Sequence, residues 1–145
     1  MLIDLENQTH LTVDTTLLEA IASRLTTQGI ELILTDNTTI AKLNQTHRNK
    51  ATPTDVLSFP LETPFTQESL CGMPLGSVVI SADFVKSGAK AFGHTEQEEL
   101  TLLFIHGLLH LLGYDHECDS GEMRQEEQAL IEAFGLPSSL IVRTV

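Results

Sequence analysis

Three histidines carry the first functional signal in this 145-residue chain. His106 and His110 lie four apart inside an otherwise apolar run, Leu100 to Gly113. On a helix that spacing puts both rings on one face, with Cβ atoms about 6 Å apart, so both reach one ion from one rigid element. His116 follows six residues after His110, across Gly113. A helix that stops at Gly113 can turn its chain back and bring a third imidazole to the same point. Three protein ligands with one position kept for water is the pattern of catalytic zinc. Neutral imidazole suits nickel, copper and iron as well, so the spacing names a class of ion. An internal hydrogen-bond network is the alternative. In a helix this apolar it leaves ring nitrogens in need of partners, at roughly 1–3 kcal/mol for each unmet group.

The spacing H-x-x-x-H-x-x-G-x-x-H equals the ligand framework of metzincin peptidases, in which a glutamate directly after the first histidine acts as general base. Here that residue is Gly107, which disfavours peptide hydrolysis by that route. Gly107 also suits the close approach of a strand or a neighbouring helix. Asp115 and Glu117 flank His116 and read as loop acids or as acceptors for a ligand ring's other nitrogen. Cys118 is the alternative for a fourth ligand, which would make the metal structural. Cys71 and Cys118 form no CxxC knuckle and read as two free thiols.

The elements that must hold these residues follow from periodicity. Leu100, Leu103, Phe104, Leu108 and Leu111 cover one broad side of the histidine helix, and Leu102, Ile105, Leu109 and Leu112 much of the rest. A helix apolar nearly all round is buried in the middle of its domain. Thr95 and Glu98 have capping-box spacing at its start, and Gly113 supplies the residue beyond its end. Strands are predicted at positions 1–6, with Ile3 and Leu5 on one side, at Ile30–Thr35, at Val56–Phe59 terminated by Pro60, and at Val78–Ile80. Leu17, Leu18, Ile21, Ala22 and Leu25 make a first helix, capped by Asp14, Thr15 or Thr16 and ended by Gly29. Ile40, Ala41 and Leu43 make a short second helix ending near Gln45, ahead of a polar segment, Thr46 to Thr54. Ala82–Phe92 is a helix closed by Gly93. Met123, Leu130 and Phe134 form the stripe of a last helix ending at Gly135, with Asp119 and Glu122 as its cap. Residues 61 to 75 read as a long loop or flap. This order predicts one α+β layer pair.

Composition sets the outer limits. One ordinary domain fits this length, and it buries enough surface to fold without a disulfide or metal. Twenty acidic against eight basic residues give a formal charge of −12, which works against a general nucleic-acid coat or an anionic membrane partner. The amino terminus has neither a basic flank nor an apolar run, and the apolar stretch at 100–113 is too short to span a bilayer. The expectation is a soluble, cytoplasmic protein.

The run His106-Gly-Leu-Leu-His-Leu-Leu-Gly-Tyr-Asp-His116 resembles the signature of the bacterial YbeY family of endoribonucleases and rRNA maturation factors. Leu43-Asn44, His47-Arg48 and Pro53-Thr-Asp-Val-Leu-Ser-Phe-Pro60 are similar to a second block of that family. Leu75-Gly76 with Val78 to Ser81 is similar to a third, and Met123, Glu126 and Glu127 fit its terminal helix. The resemblance implies an α+β fold over residues 1–145 as a single YbeY-like metallohydrolase domain. It implies a mixed four-stranded sheet packed with helices and a buried central helix carrying two metal-binding histidines. The implied cofactor is one zinc ion on His106, His110 and His116, with nickel or another divalent transition metal as substitutes.

The implied activity is single-strand-specific, metal-dependent RNA cleavage in rRNA maturation, at the 3′ end of the small-subunit RNA, and in ribosome quality control. Arg48 is the implied catalytic cation, holding a phosphate, with Lys42 and Lys50 near it in sequence. The implied partners are single-stranded RNA, rRNA, and the ribosome or small subunit with its proteins, without membrane or DNA. Two alternatives stand beside this reading: a metallohydrolase of another substrate such as a peptide, and a ribosome-associated maturation factor with a structural metal. The chain departs from the family pattern at His47, where an aromatic residue is usual, and at Ser77, where the family has an aspartate.

Overall fold

A computed structural model describes residues 2–48, 54–60, 75–114 and 120–136. Of His47 and Arg48 it describes the backbone alone. The expected loop at 61–75, apart from Leu75, lies outside the described residues, as do Lys50, Cys71, Asp115, His116, Glu117, Cys118 and Asp119.

Nine elements follow in the order β1 (Ile3–Asn7), α1 (Thr15–Leu25), β2 (Ile30–Thr35), α2 (Asn37–Arg48), β3 (Val56–Pro60), β4 (Gly76–Ser81), α3 (Ala82–Phe92), α4 (Glu96–Leu111) and α5 (Glu122–Phe134). The strands form one sheet in the order β1-β2-β4-β3. β1 and β4 run parallel to β2, whereas β3 runs antiparallel to β4. The sheet is therefore mixed and four-stranded, as expected.

Side chains alternate across the strands, and both faces of the sheet are used. Ile30, Leu32, Leu34, Val78 and Ile80 pack with Leu18 and Ala22 of α1, Val85 of α3, and Leu100, Leu103, Phe104 and Leu108 of α4. Val79 and Leu57 on the opposite face pack with Ile40 of α2, joined by Ile33, Leu43 and Phe59. The single layer pair is thus extended by a helix on the second face. A third cluster unites Ile21 of α1, Ile105 and Leu109 of α4, and Met123 and Leu130 of α5. So α4 packs on the sheet and also against α1 and α5. Every residue from Glu99 to Leu109 is buried.

Local chemistry explains the boundaries. Asp14 caps α1, but Thr26 rather than Gly29 ends it. Helix α2 is longer than predicted at both ends. Asp36 accepts from the Thr39 amide at 2.8 Å, and Asp83 accepts from the Asn37 amide at 2.9 Å, so α2 starts at Asn37. It runs on to Arg48, which turns Thr46–Arg48 from a polar linker into a last helical turn. α3 ends at Gly93, in the left-handed region. The α4 capping box is complete: Glu98 N–H donates to Thr95 Oγ1 at 3.0 Å, and Thr95 N–H to Glu98 Oε1 at 2.9 Å. At α5 no side-chain cap bond is made among the described residues, and Asp119 lies outside them. Gly121 is the N-cap, and Glu122 instead accepts from the Ser120 amide at 2.7 Å.

Candidate metal centre

Helix α4 brings two of the three predicted ligands together. His106 Nε2 and His110 Nε2 are 3.2 Å apart, with the rings nearly perpendicular at 78°. Each ring commits its other nitrogen elsewhere. His110 Nδ1 donates to the Tyr114 carbonyl at 3.0 Å; a carbonyl only accepts, so this nitrogen carries the proton and Nε2 holds the lone pair. His106 Nδ1 faces the Glu127 carboxylate at 3.5 Å, which favours the same tautomer. In that tautomer two lone pairs face each other across 3.2 Å, whereas in the other His106 Nε2–H donates to His110 Nε2. A metal ion between the two nitrogens would meet both lone pairs. Two bonds of 2.0–2.1 Å at a tetrahedral angle separate their nitrogens by about 3.3 Å, so the spacing fits a metal without rearrangement.

The carbonyl that orients His110 is set by how α4 ends. Gly113 N–H bonds to the His110 carbonyl and Tyr114 N–H to the Leu109 carbonyl, both at 3.0 Å. This is the paired bonding of a Schellman motif. It places Gly113 at φ +100°, a conformation costly for any residue with a Cβ.

On its other side α4 is held against the sheet. A Cβ on Gly107 would lie 2.7 Å from Val78 Cγ1, 3.1 Å from Val56 Cγ2 and 3.2 Å from Ser58 Oγ. Ser58 Oγ donates to the Gly107 carbonyl at 2.8 Å. The expected close approach of a strand is therefore observed, and a glutamate base at this position has no room. Ser77 turns its hydroxyl to Glu31, its cross-strand partner, at 2.8 Å. An aspartate there would set two carboxylates opposite each other.

His116, Cys118 and the flanking acids lie outside the described residues. Among the described residues no group of three or more histidine, cysteine and acidic side chains gathers as a metal site; His106 and His110 are the described part of the expected triad. Arg48 sits at the carboxyl end of α2. Three contributors escaped sequence reading. Glu127 had a signal, because a carboxylate between Met123 and Leu130 interrupts the apolar stripe of α5. Ser58 had a weaker one, sharing a strand face with Val56. The Tyr114 carbonyl had none, being backbone.

Comparison with known proteins bears on the family of the chain. The family model described as "Endoribonuclease YbeY" matches residues 3–135. A protein of that name from Sulfurovum sp. is 66% identical over 142 residues, covering 98% of this chain and 97% of its own. One from Aliarcobacter butzleri is 58% identical over 143 residues, covering 98% and 99%. The solution structure of a Thermotoga maritima protein superposes with a TM-score of 0.58 at 28% identity, covering 92% of this chain and 89% of the other. Sequence along nearly the whole chain and fold point the same way: the chain belongs to the endoribonuclease YbeY family.

Proposed function

We propose that this protein is a metal-dependent endoribonuclease specific for single-stranded RNA, acting in rRNA maturation at the 3′ end of the small-subunit RNA and in ribosome quality control. Residues 1–145 then form one metallohydrolase domain. Family membership supports the nuclease reading. The observation that carries the metal dependence is the facing of two imidazole Nε2 atoms at 3.2 Å, each ring fixed through its Nδ1.

His106, His110 and His116 would hold one zinc ion, with nickel or another divalent transition metal as substitutes. When bound, such an ion polarises a phosphoryl oxygen and lowers the pKa of a water. The chain's own residues do the rest. His106 and His110 present their Nε2 atoms from a helix buried from Glu99 to Leu109, and each ring is oriented through its Nδ1. Arg48 pairs bidentately with a non-bridging phosphate oxygen, a geometry that lysine does not reproduce. With a net charge of −12, RNA affinity rests on local cations and on ribosomal partners rather than on the global field. Cytoplasmic ribosomes are the expected setting; no helix among the described residues is long and apolar enough to cross a membrane.

The peptidase alternative loses support from Gly107, whose surroundings exclude the required glutamate. The test is metal analysis of the purified protein, followed by cleavage of single- and double-stranded RNA with matched metal loading. The expected result is one ion per chain and cleavage of single strands, both lost in His106→Ala and His110→Ala. Cleavage at the wild-type rate in metal-free protein would refute the metal reading. Persistence of an unprocessed small-subunit 3′ end in cells carrying His110→Ala is the corresponding expectation for rRNA maturation.

A further inference from the structure

Glu127 is a carboxylate with no solvent exposure at all, on a helix that otherwise turns Met123 and Leu130 to the same cluster. Taking a carboxylate out of water costs several kcal/mol unless something in the interior repays it. An apolar residue would continue the stripe of α5 without that cost. The carboxylate faces His106 Nδ1 at 3.5 Å, the outer limit of a hydrogen bond, so charge acting on the ring dipole is the main part of the contact. His110 is oriented from a different source, the neutral Tyr114 carbonyl. The two rings are thus supported asymmetrically, one by a charge and one by a backbone dipole.

We propose that Glu127 is the positioning residue of the metal centre: through His106 Nδ1 it fixes the tautomer that turns Nε2 toward the ion, and it supplies the negative charge that offsets a divalent cation on neutral imidazoles. The inference rests on the metal reading above. It extends that reading to a residue of α5 that contacts neither substrate nor ion. A carboxylate behind a ligating histidine raises the basicity of the ring as well as holding it.

The test uses the full chain, with Glu127→Gln and Glu127→Ala beside the wild type. Zinc affinity is measured by competition with a chromophoric chelator, the melting of the metal-free proteins by circular dichroism, and the histidine tautomers by ring ¹⁵N shifts. Glutamine keeps an acceptor of the same shape and removes the charge; alanine removes both. Expected is zinc affinity weakened about 10-fold in Glu127→Gln and up to about 100-fold in Glu127→Ala, the range for lost partners of ligating histidines. The metal-free Glu127→Gln protein should keep more of the wild-type melting temperature than Glu127→Ala, because the amide fills the same space and keeps an acceptor. The His106 tautomer should become mixed in Glu127→Ala alone. Unchanged zinc affinity in Glu127→Gln, beside a wild type that binds, would overturn the role of Glu127 and leave the metal reading intact. A metal-free Glu127→Gln melt that falls as far as that of Glu127→Ala would show a packing role instead and overturn it too. A wild type that binds no zinc, nickel or other divalent ion would overturn the metal reading and this inference together.

Discussion

Replacing Gly107 by alanine sets two effects of known size against each other. In an exposed helix interior the change favours folding by about 1 kcal/mol, through helix propensity and lost unfolded-state freedom. Here the new methyl would lie 2.7 Å from Val78 Cγ1, with Val56 Cγ2 and Ser58 Oγ at 3.1 and 3.2 Å. Carbon atoms prefer about 3.5–4.0 Å, so the first contact is nearly 1 Å too short. Val78 cannot yield easily. Its β-branched side chain is restricted at χ1, it is fully buried, and its strand is bonded to β2 on one side and β3 on the other. Overpacking of this kind costs about 1–3 kcal/mol, and three contacts place Gly107→Ala toward the upper end. The net expectation is a loss of about 1–2 kcal/mol, or about 3–8 °C for a chain of this size. Thermal and urea unfolding of the metal-free protein measures it without a metal contribution. Val78→Ala should cost less in the Gly107→Ala background than alone, with a coupling of about 1 kcal/mol. A Gly107→Ala protein that melts at or above the wild type would refute the reasoning, since propensity would then outweigh the strand contact.

Three further outcomes are expected. Complete removal of metal should lower the melting temperature while leaving the chain folded, because free zinc at 100 times its Kd adds about 2.7 kcal/mol to the folded state; an unchanged melt after verified removal would count against the site. Arg48→Ala should keep metal content and fold but lose single-strand cleavage, through the saturated rate if Arg48 acts in the transition state and through KM if it only docks the backbone; Arg48→Lys should recover little of it. In acid, two caps should fail. The Thr39 amide and hydroxyl, with Lys42 adding to them, hold the Asp36 carboxyl below its ordinary value; the Thr95 amide, then its hydroxyl and His94, do the same for Glu98. Both values are lowered by folding, so their stabilisation is complete above the ordinary carboxylate range, about pH 4, and disappears as the pH falls through the lowered folded values. Asp36→Asn keeps the capping geometry and should flatten the acid limb of a urea-stability profile.

What the sequence disclosed depended on whether a signal was periodic or pairwise. The burial of α4 was legible because its apolar residues surround the axis, and its start because Thr95 and Glu98 report on each other locally. The reach of α2 was not legible. Its carboxyl-terminal turn, Gln45 to Arg48, is polar, and its start depends on Asp83, which is 46 residues from Asn37 in the chain. Nor could the second covered face of the sheet be foreseen, since Val79 and Leu57 gain their meaning only when α2 lies over them. Glu127 shows the intermediate case. Its place in an apolar stripe is visible, but the ring it faces is 21 residues away.

The two glycines inside the histidine signature serve different sides of the site. Gly107 removes a side chain from the face of α4 that meets β3 and β4, which lets Ser58 bond its carbonyl and fixes the helix against the sheet. Gly113 takes a positive φ at the helix end, which brings the Tyr114 carbonyl to His110. Neither glycine offers chemistry, yet each constrains where a lone pair points. Histidines spaced i, i+4 on an exposed helix would rotate freely and find their partners in water. Here the sheet, the helix end and α5 each remove one freedom, and what remains is a pair of nitrogens 3.2 Å apart. Ordering the rings is thus completed during folding, so on the proposed metal reading little of that cost would be left for an ion to meet.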